Sequence, residues 1–131
     1  MYFDSHAHLD DKCFQPDFDA ILARMRENGV TGMMNIGCDL PSSERSVALA
    51  ERYDWIWAAV GSHPDDADLV DEARIARYRA LCQNPRVRAI GEIGLDYHYE
   101  DIPREIQKNA FRMQLALARE LSMPVVVHER E

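Results

Sequence analysis

The apolar positions of this chain recur with two different periods, and the two kinds of run take turns. Residues 3–10 (FDSHAHLD), 30–37 (VTGMMNIG), 55–64 (WIWAAVGSHP), 87–97 (VRAIGEIGLDY) and 124–131 (PVVVHERE) are short apolar or alternating runs and read as strands. The intervening segments carry helical spacing. In PDFDAILARMRENG, from Pro16, the residues Phe18, Ile21, Leu22 and Met25 share one helical face, and Asn28-Gly29 supplies a stop. PSSERSVALAERYD offers Ser42 or Ser43 as an N-cap, and DEARIARYRALCQN forms a third helix. In DIPREIQKNAFRMQLALARELSMP, Pro103 suits a first turn, and Ile106, Ala110, Met113, Leu117 and Leu121 form one apolar stripe. The pattern predicts about five strands alternating with four helices in a single domain over residues 1–131.

Strict alternation of strand and helix implies a parallel sheet with helical crossovers, hence an α/β fold. An open doubly wound sheet and a (β/α) barrel both satisfy it. No G-x-G-x-x-G or G-x-x-x-x-G-K-[ST] loop follows any strand, which removes support for the dinucleotide-binding and P-loop forms of the open sheet.

Composition narrows the function classes. A hydrophobic share of 47% is enough for a real core, and a formal net charge of −8 argues against a general electrostatic grip on nucleic acid or an anionic membrane. An anionic substrate would need a local positive centre, for which a bound metal is one candidate. Cys13, Cys38 and Cys82 are odd in number and widely spaced, so they fit a reducing compartment, the cytosol by default, and read as core or incidental residues. The start of the chain lacks the charged and apolar pattern of an export leader, and no apolar run approaches the roughly 20 residues of a membrane span.

The unusual residues gather at one place in the pattern. Asp4, His6 and His8 stand at every second position, so in a strand they project to one side. Four of the five histidines fall at or just past the C-terminal end of a predicted strand: His6 and His8, His63 in GSHP, and His128 in VVVHER. Glu92 joins them in AIGEIGLD, where alternation places it with Ile90 and Gly94 and His128 with Val126 and Arg130. In parallel α/β folds chemistry is built on that edge from several strands. A carboxylate in so apolar a strand is costly unless paired or on a metal, which makes Glu92 the strongest candidate. His63 is equally well a turn histidine beside Pro64, and His98 reads as a surface-loop residue. Arg130 is either a bidentate phosphate ligand or simply solvated, and Asp96 either supports the site or caps the loop that follows.

FDSHAHLD, VGSHP, GEIGLDY, QKNAFRMQLALARELSMP and VVVHER occur in the same order and spacing as in the TatD family of metal-dependent deoxyribonucleases, within the amidohydrolase-like superfamily of barrels. The chain resembles that family over its full length. The resemblance implies a TIM-like barrel and a hydrolase that cuts phosphodiester bonds of DNA with a water activated by two divalent metals, Mg, Mn or Zn. By position it implies His6 and His8 as ligands of one metal, Glu92 as the carboxylate shared by both, and His128 as a ligand of the other. His63, with Glu92, takes a catalytic role, while Arg130 and Asp96 face the substrate. The alternatives are a related metal-dependent amide, ester or lactone hydrolase and a non-catalytic metal-binding fragment.

A barrel of this kind typically needs ~250 residues and eight strands, whereas the pattern here ends at a fifth. The expectation is therefore an incomplete barrel, the N-terminal portion of the family fold, without the further histidine and late aspartate that the resemblance implies. An open edge of this kind invites self-association.

Overall fold

The computed structural model describes residues 1–131. Strand β1 (Tyr2–Ala7) leads through a 3-10 turn (Lys12–Asp17) into α1 (Phe18–Glu27), followed by β2 (Val30–Ile36), α2 (Leu40–Arg52) and β3 (Ile56–Val60). A second 3-10 turn (Pro64–Leu69), α3 (Glu72–Leu81), β4 (Val87–Asp96), α4 (Arg104–Glu120) and β5 (Val125–Arg130) complete the chain.

All neighbouring strands pair in parallel, and their order in the sheet is β1-β2-β3-β4-β5. This order separates the two architectures that alternation left open. A doubly wound sheet reverses its strand order at a switch point, whereas successive right-handed crossovers in one direction put every helix on the same face and curl the sheet toward a barrel. The expected incomplete (β/α) barrel of five strands is what the chain forms.

The two sheet faces have different cores. Leu22, Val47, Ala50, Ile75, Tyr78, Ala110 and Leu117 from the helices pack on Met33, Ile56, Val60, Ile90 and Ile93. Ile36, Ala59 and Ala89 form a small cluster on the opposite, concave face, with Met34 and Val126 against it. The two alanines, Ala59 and Ala89, leave room for the polar groups higher on the same face.

Three local expectations need correction. The segment from Pro16 is not helical at once: Asp11 caps a 3-10 turn by accepting from the Cys13 N–H, and α1 begins only at Phe18. The cap of α2 is neither Ser42 nor Ser43 but Asp39, whose carboxylate accepts from the Ser42 N–H at 2.7 Å while the Ser42 hydroxyl accepts from the Asp39 N–H. Aspartate in this reciprocal box satisfies two helix-end donors, which frees Ser43 to go inside, where its hydroxyl accepts from the Gly61 N–H at 3.1 Å. Finally, Glu92 does not share a face with Ile90. The register between β4 and β5 shifts between Ile90 and Ile93, both of which enter the helix-side core, so Glu92 turns to the concave face.

Glycines make the close pairing of β4 with β5 feasible. A Cβ on Gly91 would lie 2.6 Å from the Val126 Cβ, and one on Gly94, at φ +150°, would lie 1.9 Å from the His128 carbonyl oxygen. Only glycine fits so near a neighbouring backbone.

Candidate metal centre

The C-terminal strand ends bring the predicted residues to one rim. His6 lies in β1 and His8 just beyond it, Glu92 and Asp96 in β4, His128 and Arg130 in β5, and His63 caps the 3-10 turn after β3. Glu92 is at the centre. Its Oε2 lies 3.3 Å from His6 Nε2 and 3.6 Å from His8 Nε2, while its Oε1 lies 3.0 Å from His128 Nδ1. One carboxylate thus addresses both sides of the site with separate oxygens, although Glu92 is only 8% exposed.

The hydrogen-bond partners assign the imidazole tautomers. His8 Nδ1 sits 2.9 Å from the Ile36 carbonyl oxygen, which only accepts, so that nitrogen carries the proton and Nε2 turns its lone pair to the centre. Nε2 of His6 is 3.1 Å away. His128 lies between two acceptors, Glu92 Oε1 and, at 2.9 Å from its Nε2, Asp96 Oδ2. A neutral imidazole can donate to only one of them. With the proton held toward Asp96, its Nδ1 lone pair faces the Glu92 carboxylate, a meeting of acceptors that a cation resolves.

Asp96 carries both of its sequence readings at once. One oxygen meets His128 and the other accepts from the His98 N–H at 3.0 Å, capping the loop. Burial opposes its ionisation, but the bonds from His128 and the His98 N–H, with Arg130 nearby, hold its carboxyl below the usual range. His63 is also both things. Its Nδ1 accepts from the Asp65 N–H at 3.2 Å, and its ring stands edge-on to His128 with centroids 4.2 Å apart. Burial pushes its imidazole down, with Asp65 opposing. Arg130 is not aimed at the centre; its guanidinium lies over the Tyr99 ring at 4.9 Å. Asp4 caps the His6 N–H at 3.1 Å and does not join the cluster.

Ligand atoms of His6, His8 and Glu92 lie within 4.8 Å of one another, and so do those of His63, Glu92 and His128. A cleft of about 660 Å³ opens beside them, lined by His8, His63, Cys38, Asp10, Asp11, Asp39, Asp65, Asp66, Glu92, Lys12 and Arg45. Six carboxylates against two basic groups make it strongly acidic. Cys38, read from sequence as incidental, therefore stands on the cleft wall, where burial raises its thiol above the ordinary value.

Sequence reasoning missed the residues that hold the rim in place. Gln114 of α4, 1% exposed, accepts from the Ser62 N–H at 2.7 Å and donates to the Ser62 carbonyl at 3.0 Å. Two helical turns earlier Gln107 accepts from the Asp96 N–H and donates to the Asp96 carbonyl, each at 2.8 Å. The Ser62 hydroxyl donates to Asp66 at 2.6 Å and so accepts from the Tyr78 hydroxyl, also at 2.6 Å, while Arg74 closes on Asp66 at 2.8 Å. Buried away from water, the Tyr78 hydroxyl is pushed up to about 12. On the other side of the cleft Asn35 accepts from the Leu9 N–H and donates to Asp10 and Ser46. The signal was present: polar residues at positions whose spacing says core.

The family model for TatD related DNase matches residues 3–131. The chain belongs to this family. The Bacillus subtilis protein YabD, described as an uncharacterised metal-dependent hydrolase, is 40% identical over 131 residues, 100% of this chain and 51% of YabD. The TatD protein of Cronobacter sakazakii, described as a 3'-5' ssDNA/RNA exonuclease, is 40% identical over 129 residues, 98% of this chain and 49% of its own. The crystal structure of YjjV, a TatD homologue from Escherichia coli, superposes with a TM-score of 0.91 at 32% identity, covering 99% of this chain and 51% of that one. The chain thus spans about half the length of the relatives it matches.

Proposed function

We propose that this TatD-family chain supplies the metal-binding half of a phosphodiester hydrolase acting on single-stranded nucleic acid. Residues 1–131 form one domain in this reading, the N-terminal portion of the barrel, and the complete reaction belongs to the whole barrel. The observation that carries the proposal is Glu92, whose two oxygens separately meet the His6–His8 pair and His128. The donor set fits divalent metals: imidazole nitrogens and a shared carboxylate converge with lone pairs inward, in a cleft too acidic to receive a phosphate without added positive charge. His6, His8 and Glu92 would hold one ion, and Glu92 and His128 the other. Such a pair, when bound, polarises the phosphoryl oxygen, activates a water and stabilises the leaving oxygen.

The chain's own groups prepare this chemistry. The Ile36 carbonyl keeps the His8 proton on Nδ1, and Asp96 is placed to take the His128 proton on Nε2 when a cation occupies the Nδ1 side, which would leave one lone pair of each of these two rings facing the centre. His63, half-buried beside His128 with its own Nδ1 engaged by the turn, presents the remaining nitrogen as a donor to a phosphate oxygen. Arg130, laid on Tyr99, approaches the same rim from β5.

The three cysteines are free thiols, which supports a reducing, cytoplasmic setting; no helix is long and apolar enough to cross a membrane. The uncovered edges also support pairing with a second copy: Tyr2 and Phe3 of β1 are 69% and 53% exposed, and Val127 of β5 is 53% exposed. Parallel assays on single-stranded DNA and on amide, ester and lactone substrates, with Mn²⁺ and with chelator, test the reaction class. Metal-dependent release of nucleotides supports the proposal; metal-dependent turnover of the carbonyl substrates alone assigns the site to the related amidohydrolase chemistry.

A further inference from the structure

The loop from Tyr97 to Pro103 carries an aromatic group that the metal centre does not use. Tyr99 is 57% exposed, yet its ring is not loose. The Arg130 guanidinium lies over it at 4.9 Å, and the His98 ring meets it edge-on at 4.6 Å, interplanar angle 86°. The loop is tied down at both ends. The Tyr97 N–H donates to the Arg130 carbonyl at 2.8 Å, Arg104 covers the Tyr97 ring at 4.3 Å, and Gln107 donates to the Ile102 carbonyl at 3.0 Å. A large exposed ring fixed by cations and packing is a platform, because little conformational freedom remains to be lost when a flat group stacks on it.

Tyr99 stands between two hollows. One, of about 320 Å³, is bordered by Pro64, Asp65, Asp96, Tyr99, Asp101 and Ile102; the other, of about 190 Å³, lies toward Tyr97 and Arg104. The larger hollow is at the lower end of small-ligand clefts, about 300–1,000 Å³. It adjoins the metal centre through Asp96, whose carboxylate reaches His128 at 2.9 Å. Its wall combines apolar surface from Pro64 and Ile102 with carboxylates of Asp65, Asp96 and Asp101. Such a wall repels a phosphate but accepts hydrogen bonds from ring and exocyclic N–H groups. It is matched to a flat, neutral heterocycle.

We propose that Tyr99, backed by Arg130, is the stacking platform of a nucleobase subsite, which holds a base next to the phosphate that metals on Glu92 and His128 would engage. The proposal rests on the nucleic-acid reading of the metal centre and adds to it the place where the strand is gripped. Stacking reads any base, so this subsite confers preference for unpaired strands and little for sequence. Arg130 acts here through Tyr99, as well as by its charge.

The test is a double-mutant cycle between protein and ligand. Fluorescence anisotropy measures binding of a labelled, phosphorothioate-linked single-stranded oligonucleotide in Mn²⁺, intact or carrying abasic residues, to the wild type, Tyr99→Phe and Tyr99→Ala. Stacking worth about 1–3 kcal/mol per base corresponds to roughly a 5- to 150-fold loss. Tyr99→Ala is expected to lose affinity for the intact strand by a factor in that range, Tyr99→Phe to keep it, and the abasic strand to bind wild type and Tyr99→Ala alike. Tight binding that is indifferent to Tyr99→Ala, or losses from the two changes that simply add, overturns the subsite and leaves the metal centre standing. Absence of any binding by the wild type overturns both readings. Tyr99 is exposed and outside the core, so its replacement leaves the packed interior intact, and circular dichroism of each variant checks this.

Discussion

Glu92 concentrates the chemistry of this protein in one side chain. It is a buried carboxylate with no lysine or arginine partner, meeting imidazoles through both oxygens. Replacing it by glutamine keeps the volume but exchanges one acceptor for an NH₂ donor, which faces the inward lone pairs of the histidines. Glu92→Gln is therefore expected to abolish metal-dependent turnover in the complete barrel while the fold persists; wild-type rates with normal circular dichroism would remove Glu92 from the mechanism. A second residue-scale expectation concerns Cys82, whose thiol burial pushes up to about 11. The thiolate is the reactive form, and an ordinary thiol with a pKa of about 8.5 is mostly ionised at pH 9. Cys82 should then remain largely unmodified by iodoacetamide at pH 9 and react only as the pH approaches 11, read by peptide mass mapping; rapid modification in the folded protein at pH 9 would contradict this. At this scale the sequence was most legible where a residue type was costly in its surroundings, as Glu92 is in an apolar strand. It was least legible for Arg130 and Asp96, whose partners Tyr99 and His128 depend on how two strand ends meet.

Helix α4 determines where the rim stands. Its apolar stripe was read from spacing, and Ala110 and Leu117 are indeed buried, but Ile106 is 41% exposed. The inward positions beside them belong to Gln107 and Gln114, which hydrophobic periodicity discards although they fix the Asp96 and Ser62 backbones. Gln114→Met fills the same space without the two hydrogen bonds, leaving the Ser62 N–H and C=O buried without partners at about 1–3 kcal/mol for each stranded group. The expected outcome is a clear drop in thermal midpoint together with displaced imidazole resonances of His63 and unchanged ones of His6; a variant with the wild-type midpoint would show that Gln114 does not hold this loop. Of the boundaries that sequence reading misplaced, the cap of α2 is set by one side chain, Asp39, whereas α1 starts late because a 3-10 turn capped by Asp11 precedes it, and its own N-cap residue, Asp17, makes no side-chain bond.

For the molecule as a whole, alternation of strand and helix was legible because it follows from residue periodicity, whereas periodicity left barrel and open sheet undecided and only the resemblance carried by the motifs pointed to the barrel. That choice lies in the strand order, a property of crossovers. The sequential order leaves β1 and β5 as open edges with apolar side chains exposed. Sedimentation velocity over a range of concentration should show self-association of this chain, and charge placed on the edge by Val127→Lys should weaken it; a monomer at all concentrations would show that the edges remain unpaired. The central claim is that these strand ends assemble a divalent-metal centre around Glu92. Its most direct test is metal content per chain, by elemental analysis of the purified 131-residue protein after loose ions are removed. Retention of one or two divalent ions per chain, lost in Glu92→Gln, is the predicted result; a folded protein that retains none and takes up none on titration with Mn²⁺ or Zn²⁺ would contradict it.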